Sequence, residues 1–395
     1  MTDGRCSKVK INRERNKIMK AFFKITAFVI SVILGLSFCS CQATGDETDS
    51  GSGTGAFESS SDSSSELFSD TSASVGDKDT AKTDKDDASG ATEKPDTSKP
   101  YTVKGYILSA STPADTYGNG MFLVYKLSDG RLLVYDGGNG SVKNFMLEAL
   151  QEIAGTKKVK VAAWVMTHDH GDHYGALIEY YYANATTIKD VIEVEEFWMN
   201  PMNSEGYGVQ NHLKNAFPNA KMRRLTYGEE INLDKIKINV LCTPEVLPPD
   251  SRNDVNTNSL VMMLTVGGKK ILMTGDANEP AWDFMVGQQS KGSKYSLKCD
   301  YLQVPHHGVQ AAGTAEGYAA TAAKALVIPS TIDLANKLTT SSNAKPSYDL
   351  YKSHGINIGN LNTETNNSTY WFAGCYGKSG TTDIKCFFTY NGKTV

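Results

Sequence analysis

Positive charge is not in excess in this chain: 40 Lys and Arg against 44 Asp and Glu over 395 residues leave a formal net charge of −4. That balance argues against a protein-wide footprint for nucleic acid. One local basic cluster, Lys221, Arg223 and Arg224, reads as a solvated face. Long apolar runs are missing too. The run from Ile25 to Phe38 covers fourteen residues, too short for a comfortable membrane span. Internal repeats are absent. Cysteine is sparse at seven residues, and no spacing among them matches a zinc-ligand pattern. Histidine is equally sparse, and its placement is therefore informative: three of the seven fall within positions 168 to 173.

Those three sit in Thr167-His168-Asp169-His170-Gly171-Asp172-His173, where carboxylates alternate with imidazoles. Divalent zinc binds neutral imidazole nitrogen and ionised carboxylate oxygen at about 2 Å, and both donor types are concentrated here. The run follows the apolar segment 159–166, which reads as a buried strand, and precedes a segment that reads as a helix beginning near Asp172. Ligands on the loop between such elements converge without straining either one. His168 and His170, two apart in extended chain, project to one side. Asp172 and His173 then turn toward a second ion, and the spacing predicts a two-metal site.

The pattern resembles the first motif of the metallo-β-lactamase superfamily, and further motifs follow in that family's order. Asp136, after the apolar run Leu132 to Tyr135 and before Gly137-Gly138, matches the structural Asp that orders the ligand loop. Asp276, closing Lys270 to Gly275, matches the carboxylate that bridges two ions. Val304-Pro305-His306-His307-Gly308 matches a late ligand motif. Spacing alone leaves open which of its two histidines binds metal; laid over Val-Pro-x-His-Gly, the ligand is His307, with His306 facing substrate as a proton donor. The resemblance implies His168 and His170 on one ion, Asp172, His173 and His307 on the other, Asp276 shared, and Asp169 orienting the nucleophile or a ligand imidazole. One family element is absent. No His follows Thr243-Pro244, and the chain continues instead to Asn256-Thr257-Asn258-Ser259-Leu260-Val261. That stretch resembles the ComEC-like branch, which includes exported phosphorylcholine esterases. His212 reads as a surface-helix residue and His354 as one at a helix end.

The fold implied is α/β, a four-layer αββα arrangement of two packed mixed sheets flanked by helices, over residues 101–395. Strands are expected at Tyr101 to Ser109, Met121 to Leu127, Leu132 to Tyr135, Lys158 to Met166, Ile236 to Leu241, Leu260 to Val266, Lys270 to Thr274, Tyr301 to Val304 and Ala325 to Pro329. Later ones are expected at Trp371 to Ala373 and Lys385 to Tyr390. Helices are expected at Ser141 to Glu152, Tyr174 to Tyr182 and Ala315 to Ala323. Residues 1–41 read as a signal peptide, a basic leader and an apolar run ending at Cys39-Ser40-Cys41, which resembles a lipoprotein cleavage region. Lipid anchoring facing outward is the expectation, with simple secretion as the alternative. Residues 42–100, rich in Ser, Thr, Asp and Gly, cannot bury enough surface to fold and read as a disordered tether reaching on the order of 40 Å. Export permits disulfides; Cys375 and Cys386 flank a Gly-rich turn and either pair or remain thiols.

The function these readings imply is an exported, membrane-tethered zinc hydrolase that uses a metal-bridged hydroxide. Manganese or iron also suits such ligands. Asp172, Asp169 and His306 carry its catalytic roles, and phosphoesters of nucleic acid or of the wall are its expected substrates. No protein partner is indicated. A second reading is an amide or lactone hydrolase of β-lactamase type. A third is a non-catalytic surface binding module on the same scaffold.

Overall fold

The structure is a computed structural model, and it describes residues 100–115, 120–308, 312–337, 344–357, 369–372, 374 and 383–392. The expected signal peptide, all of the tether but Pro100, and Cys375 lie outside the described residues. Among the described residues no helix is long and apolar enough to cross a membrane.

In the first half of the fold, short apolar runs bounded by Gly and Asp become strands, and amphipathic runs become helices. The order is β1 (Tyr101–Leu108), β2 (Phe122–Lys126), β3 (Leu132–Asp136), α1 (Lys143–Ala154), β4 (Val159–Val165), α2 (Gly171–Asn184), α3 (Ile188–Val191), β5 (Ile192–Val194), β6 (Glu196–Trp198), α4 (Ser204–Ala216) and β7 (Lys221–Arg223). The second half runs β8 (Glu230–Leu233), β9 (Ile236–Cys242), β10 (Val261–Val266), β11 (Lys269–Met273), α5 (Glu279–Ser290), β12 (Tyr301–Gln303), α6 (Ala315–Thr321), β13 (Ala325–Ile328), α7 (Ile332–Lys337), α8 (Lys345–Ser353), β14 (Tyr370–Phe372) and β15 (Ile384–Gly392). One sheet has the path β15-β1-β2-β3-β4-β6-β7, with β5 also on β4, and the other the path β14-β13-β12-β11-β10-β9-β8. Each mixes antiparallel hairpins with parallel pairs, β3 with β4 and β11 with β12 among the latter. The β10–β11 hairpin turns on Gly267 and Gly268 at φ 54° and 79°, the two positive angles a tight hairpin of right-twisted strands requires.

Three apolar layers account for the stacking. Between the sheets, Tyr125, Tyr135 and Val165 meet Ile238, Met262, Leu264 and Met273. Outside the first sheet, Phe145, Leu150, Leu177 and Leu213 from α1, α2 and α4 cover Val134 and Trp164. Outside the second, Trp282, Tyr318 and Tyr351 from α5, α6 and α8 cover Leu272, Leu302 and Phe372. The result is the expected four-layer αββα arrangement of two mixed sheets and flanking helices.

The long strands fall within a residue or two of their expected places. The expected helix at Ser141 begins at Lys143, behind a 3-10 turn at Gly140–Val142. Not expected were α3, α5, α7 and the short strands β5 to β8. His212 lies on α4 beside the Tyr182 hydroxyl, 3.0 Å from Nε2. His354 follows α8, its Nε2 3.0 Å from the Ala323 carbonyl.

Candidate metal centre

Four loops that leave the ends of β3, β4, β11 and β12 meet at one edge of the sandwich, and each carries one of the motifs. Asp136 ends β3, with φ 55° and no exposure. Its Oδ1 accepts the Thr167 N–H at 2.9 Å and its Oδ2 the Thr167 hydroxyl at 2.8 Å. The same Oδ2 lies 2.8 Å from His173 Nδ1. A carboxylate oxygen only accepts, so Nδ1 of His173 carries the proton and Nε2 presents its lone pair. Burial raises the Asp136 pKa, against the opposing pull of His173 and Thr167.

His307 is prepared in the same way. Its Nδ1 lies 2.8 Å from the Pro329 carbonyl, which again fixes the proton there and leaves Nε2 for a ligand. His306, His307 and Gly308 all have positive φ, at 47°, 55° and 71°. Two left-handed non-glycine residues in a row cost of order 1–3 kcal/mol each and mark a site where the surroundings dictate the backbone. Gly308 is required, because a β-carbon there would overlap the Tyr351 hydroxyl. Gly308→Ala is therefore expected to lower stability by about 1–3 kcal/mol, read as a fall in thermal midpoint. The Tyr351 hydroxyl is buried with no hydrogen-bond partner among the described residues, so adding Tyr351→Phe should recover part of the loss. A midpoint unchanged by Gly308→Ala would contradict the strained-turn account.

The side chains converge around Asp276, of which 1 % is exposed. Its Oδ2 lies 3.2 Å from Nε2 of both His173 and His307, 3.9 Å from His168 Nε2 and 4.0 Å from His306 Nε2. Asp172 Oδ2 is 3.2 Å from His307 Nε2, and its Oδ1 is 3.9 Å from His173 Nε2. Two clusters result, His168 with His173 and Asp276, and Asp172 with His173 and His307, the ligand atoms of each within 4.8 Å of one another. Buried Nε2 of His173, Nε2 of His307 and Oδ1 of Asp276 have no aligned hydrogen-bond partner among the described residues. Lone-pair atoms that face one another in a dry site without a hydrogen bond fit a cation between them.

The electrostatics agree. Burial raises the Asp276 and Asp172 carboxyls, but His173 and His307 outweigh it and hold both below the usual range. Burial lowers His307, and Asp276 and Asp172 overcome this to push it up to about 10. His173 is raised for the same reason, by Asp276, Asp136 and Asp172 against burial. Both imidazoles thus favour a proton where a metal ion would bring its charge, and an arriving cation displaces those protons. His168 shifts the other way, lowered by burial and by His173.

Two residues differ from their expected places. His170, expected beside His168 on the first ion, is the residue before α2 and lies outside both clusters, the chain bending at His168 and Asp169 and the His170 ring standing edge-on to His168. Its Nδ1 still lies 3.1 Å from His168 Nε2. His173 Nε2 is close to the ligand atoms of both groups, and its single lone pair serves one ion. Asp169, expected to steer the nucleophile or a ligand imidazole, instead packs its carboxylate on Gly206 in the first turn of α4 and accepts a backbone bond from Met202. Burial pushes it up to about 6. Residues that the sequence reading left out also shape the site. Ser259 Oγ accepts the Asp276 N–H at 3.0 Å and lies 3.4 Å from His168 Nδ1, and Gln303 binds the Thr274 and Gly275 amides at 2.7 and 2.8 Å.

A two-sheet sandwich whose strand ends gather imidazoles and carboxylates this closely defines a metallohydrolase scaffold. The chain belongs to the metallo-beta-lactamase superfamily, whose family model matches residues 115–312, and members of that superfamily are generally metal-dependent hydrolases. Similar solved structures include the metallo-beta-lactamase fold protein YhfI from Bacillus subtilis, at 10% identity over 74% of this chain and 100% of that one, with a TM-score of 0.42. Unliganded yeast PDE1 has 11% identity over 72% of this chain and 100% of its own, TM-score 0.42. Zinc-bound PqqB from Methylobacterium extorquens has 10% identity over 58% and 73%, TM-score 0.35. No curated protein matches by sequence.

Proposed function

We propose that this chain is an exported, membrane-tethered, zinc-dependent phosphoester hydrolase of the ComEC-like branch. The observation that carries the reading is the pair of clusters that meet at His173, with Asp276 Oδ2 3.2 Å from both His173 and His307 and Nδ1 of each imidazole committed to Asp136 or the Pro329 carbonyl, so that Nε2 faces the clusters. His168, His170, Asp172, His173, Asp276 and His307 are the proposed ligands. When bound, two cations supply a nucleophile at neutral pH and stabilise charge on the phosphoryl oxygen, so no Ser or Cys nucleophile is required.

The chain's own residues do the rest. Asp276 faces both clusters and sets their separation. Asp172 Oδ2 and His307 Nε2 lie 3.2 Å apart, which places two donors of the second cluster side by side. His306, with 18% of its side chain exposed, is the group that solvent and substrate reach, and it is the proposed proton donor to the leaving oxygen. Asp169 ties the ligand loop to α4 and so acts through that loop. Against β-lactam hydrolysis stands the residue after Thr243-Pro244: Glu245 accepts from Asn200 Nδ2 at 2.9 Å and pairs with Arg224, leaving no imidazole there. The basic leader and the Cys39-Ser40-Cys41 region support export and lipid anchoring.

Metal analysis of the purified full chain should find two zinc ions, with manganese or iron as the informative alternatives. Bis-p-nitrophenyl phosphate should be hydrolysed, chelation should abolish that hydrolysis and zinc should restore it, while nitrocefin stays intact. Cleavage of nitrocefin without cleavage of any phosphodiester would overturn the substrate class, and a metal-free protein after export would overturn the enzyme.

A further inference from the structure

The second sheet carries a basic cavity away from the metal centre. Along β9, Lys237, Asn239 and Leu241 alternate onto one side, and Leu241 belongs to the outer layer beneath the helices. Met263 and Leu272 belong to that layer too, which puts Thr265 of β10 and Lys270 of β11 on the same side. Cross-strand pairing sets Lys237 opposite Thr265 and Thr265 opposite Lys270, so two ammonium groups flank one hydroxyl in a single row. The loop after α5 closes over them. Tyr295 anchors that loop, its hydroxyl donating to the Gly228 carbonyl at 2.7 Å, and Lys294 Nζ lies 4.8 Å from the centre of the Tyr295 ring. The space enclosed is about 160 Å3. Lys270 stands near the start of β11 and Asp276 beyond its other end, so the cavity and the metal centre occupy opposite ends of that strand.

Charge in the cavity is unbalanced. Among the described residues that line it, Glu230 alone is acidic, and it lies 3.0 Å from Lys237 Nζ and 3.1 Å from Lys294 Nζ. Three ammonium groups against one carboxylate leave two formal positive charges. Lys270 is half-buried, and its Nζ has no salt-bridge or hydrogen-bond partner among the described residues. Asn239 adds an orphan donor, its Nδ2 buried without a hydrogen-bond partner among the described residues, which native structures seldom leave. The uncommitted nitrogens are all donors, and that set suits an anion with several acceptor oxygens. The volume is below the roughly 300 Å3 at which pockets for organic ligands begin, so the ligand is a small ion or the charged end of a larger molecule. We propose that this cavity binds a terminal phosphate group, as inorganic phosphate or as the end of a phosphomonoester, through Lys237, Lys270 and Lys294 with Asn239 and Thr265 as neutral donors. A terminal phosphate carries close to two negative charges at neutral pH, which matches the two that are uncompensated. The inference is independent of the proposed function, since no residue of the metal centre takes part.

The test titrates inorganic phosphate into the full-length protein by calorimetry in a chloride buffer, in wild type and in Asp276→Ala. The second protein separates the cavity from the metal centre and should keep one saturable phosphate site. On either background Lys270→Gln should weaken that site by about tenfold or more, the loss expected for a charge-assisted hydrogen bond. Glu230→Gln should tighten it severalfold, because Lys237 and Lys294 then face no competing carboxylate, and a gain in affinity cannot come from misfolding. Competitors divide the sources. Displacement by phenyl phosphate would support a phosphomonoester end as well as the free ion, and failure to displace would support free phosphate alone. Dimethyl phosphate, with one charge, should compete poorly; displacement as effective as that by phosphate would overturn the doubly charged class. Absence of a saturable site in Asp276→Ala, or an affinity indifferent to both Lys270→Gln and Glu230→Gln, would overturn the inference. Failure of wild type to cleave any phosphoester would remove the proposed function and leave this comparison intact.

Discussion

Asp276→Ala is expected to abolish metal-dependent hydrolysis and to strip the centre of its metal. Among the described residues the carboxylate is the one group within 4.0 Å of Nε2 on His168, His173, His306 and His307 together, so its removal leaves Asp172, beside His173 and His307, as the remaining carboxylate of the two clusters. Mutation of outer-shell partners alone weakens metal binding about 10- to 100-fold, and loss of a shared ligand should exceed that. Stability gives a second readout. A ligand at about 100 times its Kd stabilises the folded state by about 2.7 kcal/mol, so zinc should raise the thermal midpoint of the wild type and leave that of the variant unmoved. The fold itself should persist, since the bond to Ser259 is made by the Asp276 backbone N–H. A variant that keeps both its metal and its turnover would exclude Asp276 as the shared carboxylate.

Much of this centre was legible because its ligands sit where strands stop. Strands of five to seven residues followed within five residues by an Asp or His next to a Gly are readable locally, and β3, β4 and β11 all have that form. The hidden parts depend on contacts far apart in sequence. The strands β5 to β7 have three residues each, too few for alternation to declare itself. In α5 only Ala281, Trp282 and Met285 are buried, and Pro280 and Gly287 blur a face that narrow. The place of His170 is less legible, because a two-residue spacing predicts one shared side only while the chain stays extended, and it bends at His168 and Asp169. The orientation of Asp169 toward Gly206 depends on α4, which arrives some thirty residues later in the chain.

Spacing left the choice between His306 and His307 open and the resemblance gave the ligand as His307; the turn supplies the physical reason. Successive residues in extended chain would send the two rings to opposite faces. Here two positive φ angles in a row, closed by Gly308, aim both toward Asp276 at unequal depth. His307 is fully buried with its Nδ1 committed to the Pro329 carbonyl, while His306 stays partly open beside Asn256. Depth thus separates a ligand from a group that can exchange protons with substrate.

Asp136→Asn separates the ordering of this centre from the stability of the fold. Asparagine tolerates the left-handed backbone at φ 55° as well as aspartate does, and its Oδ1 can keep the Thr167 N–H that the carboxylate accepts at 2.9 Å. The thermal midpoint should therefore stay within a few degrees of wild type. The other amide atom changes the chemistry. An NH2 group now faces the Thr167 hydroxyl and His173 Nδ1, where the carboxylate accepted at 2.8 Å from each. A donor cannot receive the Nδ1 proton, so Nδ1 becomes the acceptor and the proton moves to Nε2, the atom that both clusters use. Metal affinity should fall about 10- to 100-fold, measured by competition with a chromogenic chelator, and excess zinc should recover part of the hydrolysis. Histidine NMR should show that the metal-free variant has lost the Nδ1 proton of His173, which the wild type keeps against Asp136. Unchanged affinity in a protein with that altered tautomer would mean that His173 binds no metal through Nε2, and the two clusters would then lose the residue they have in common.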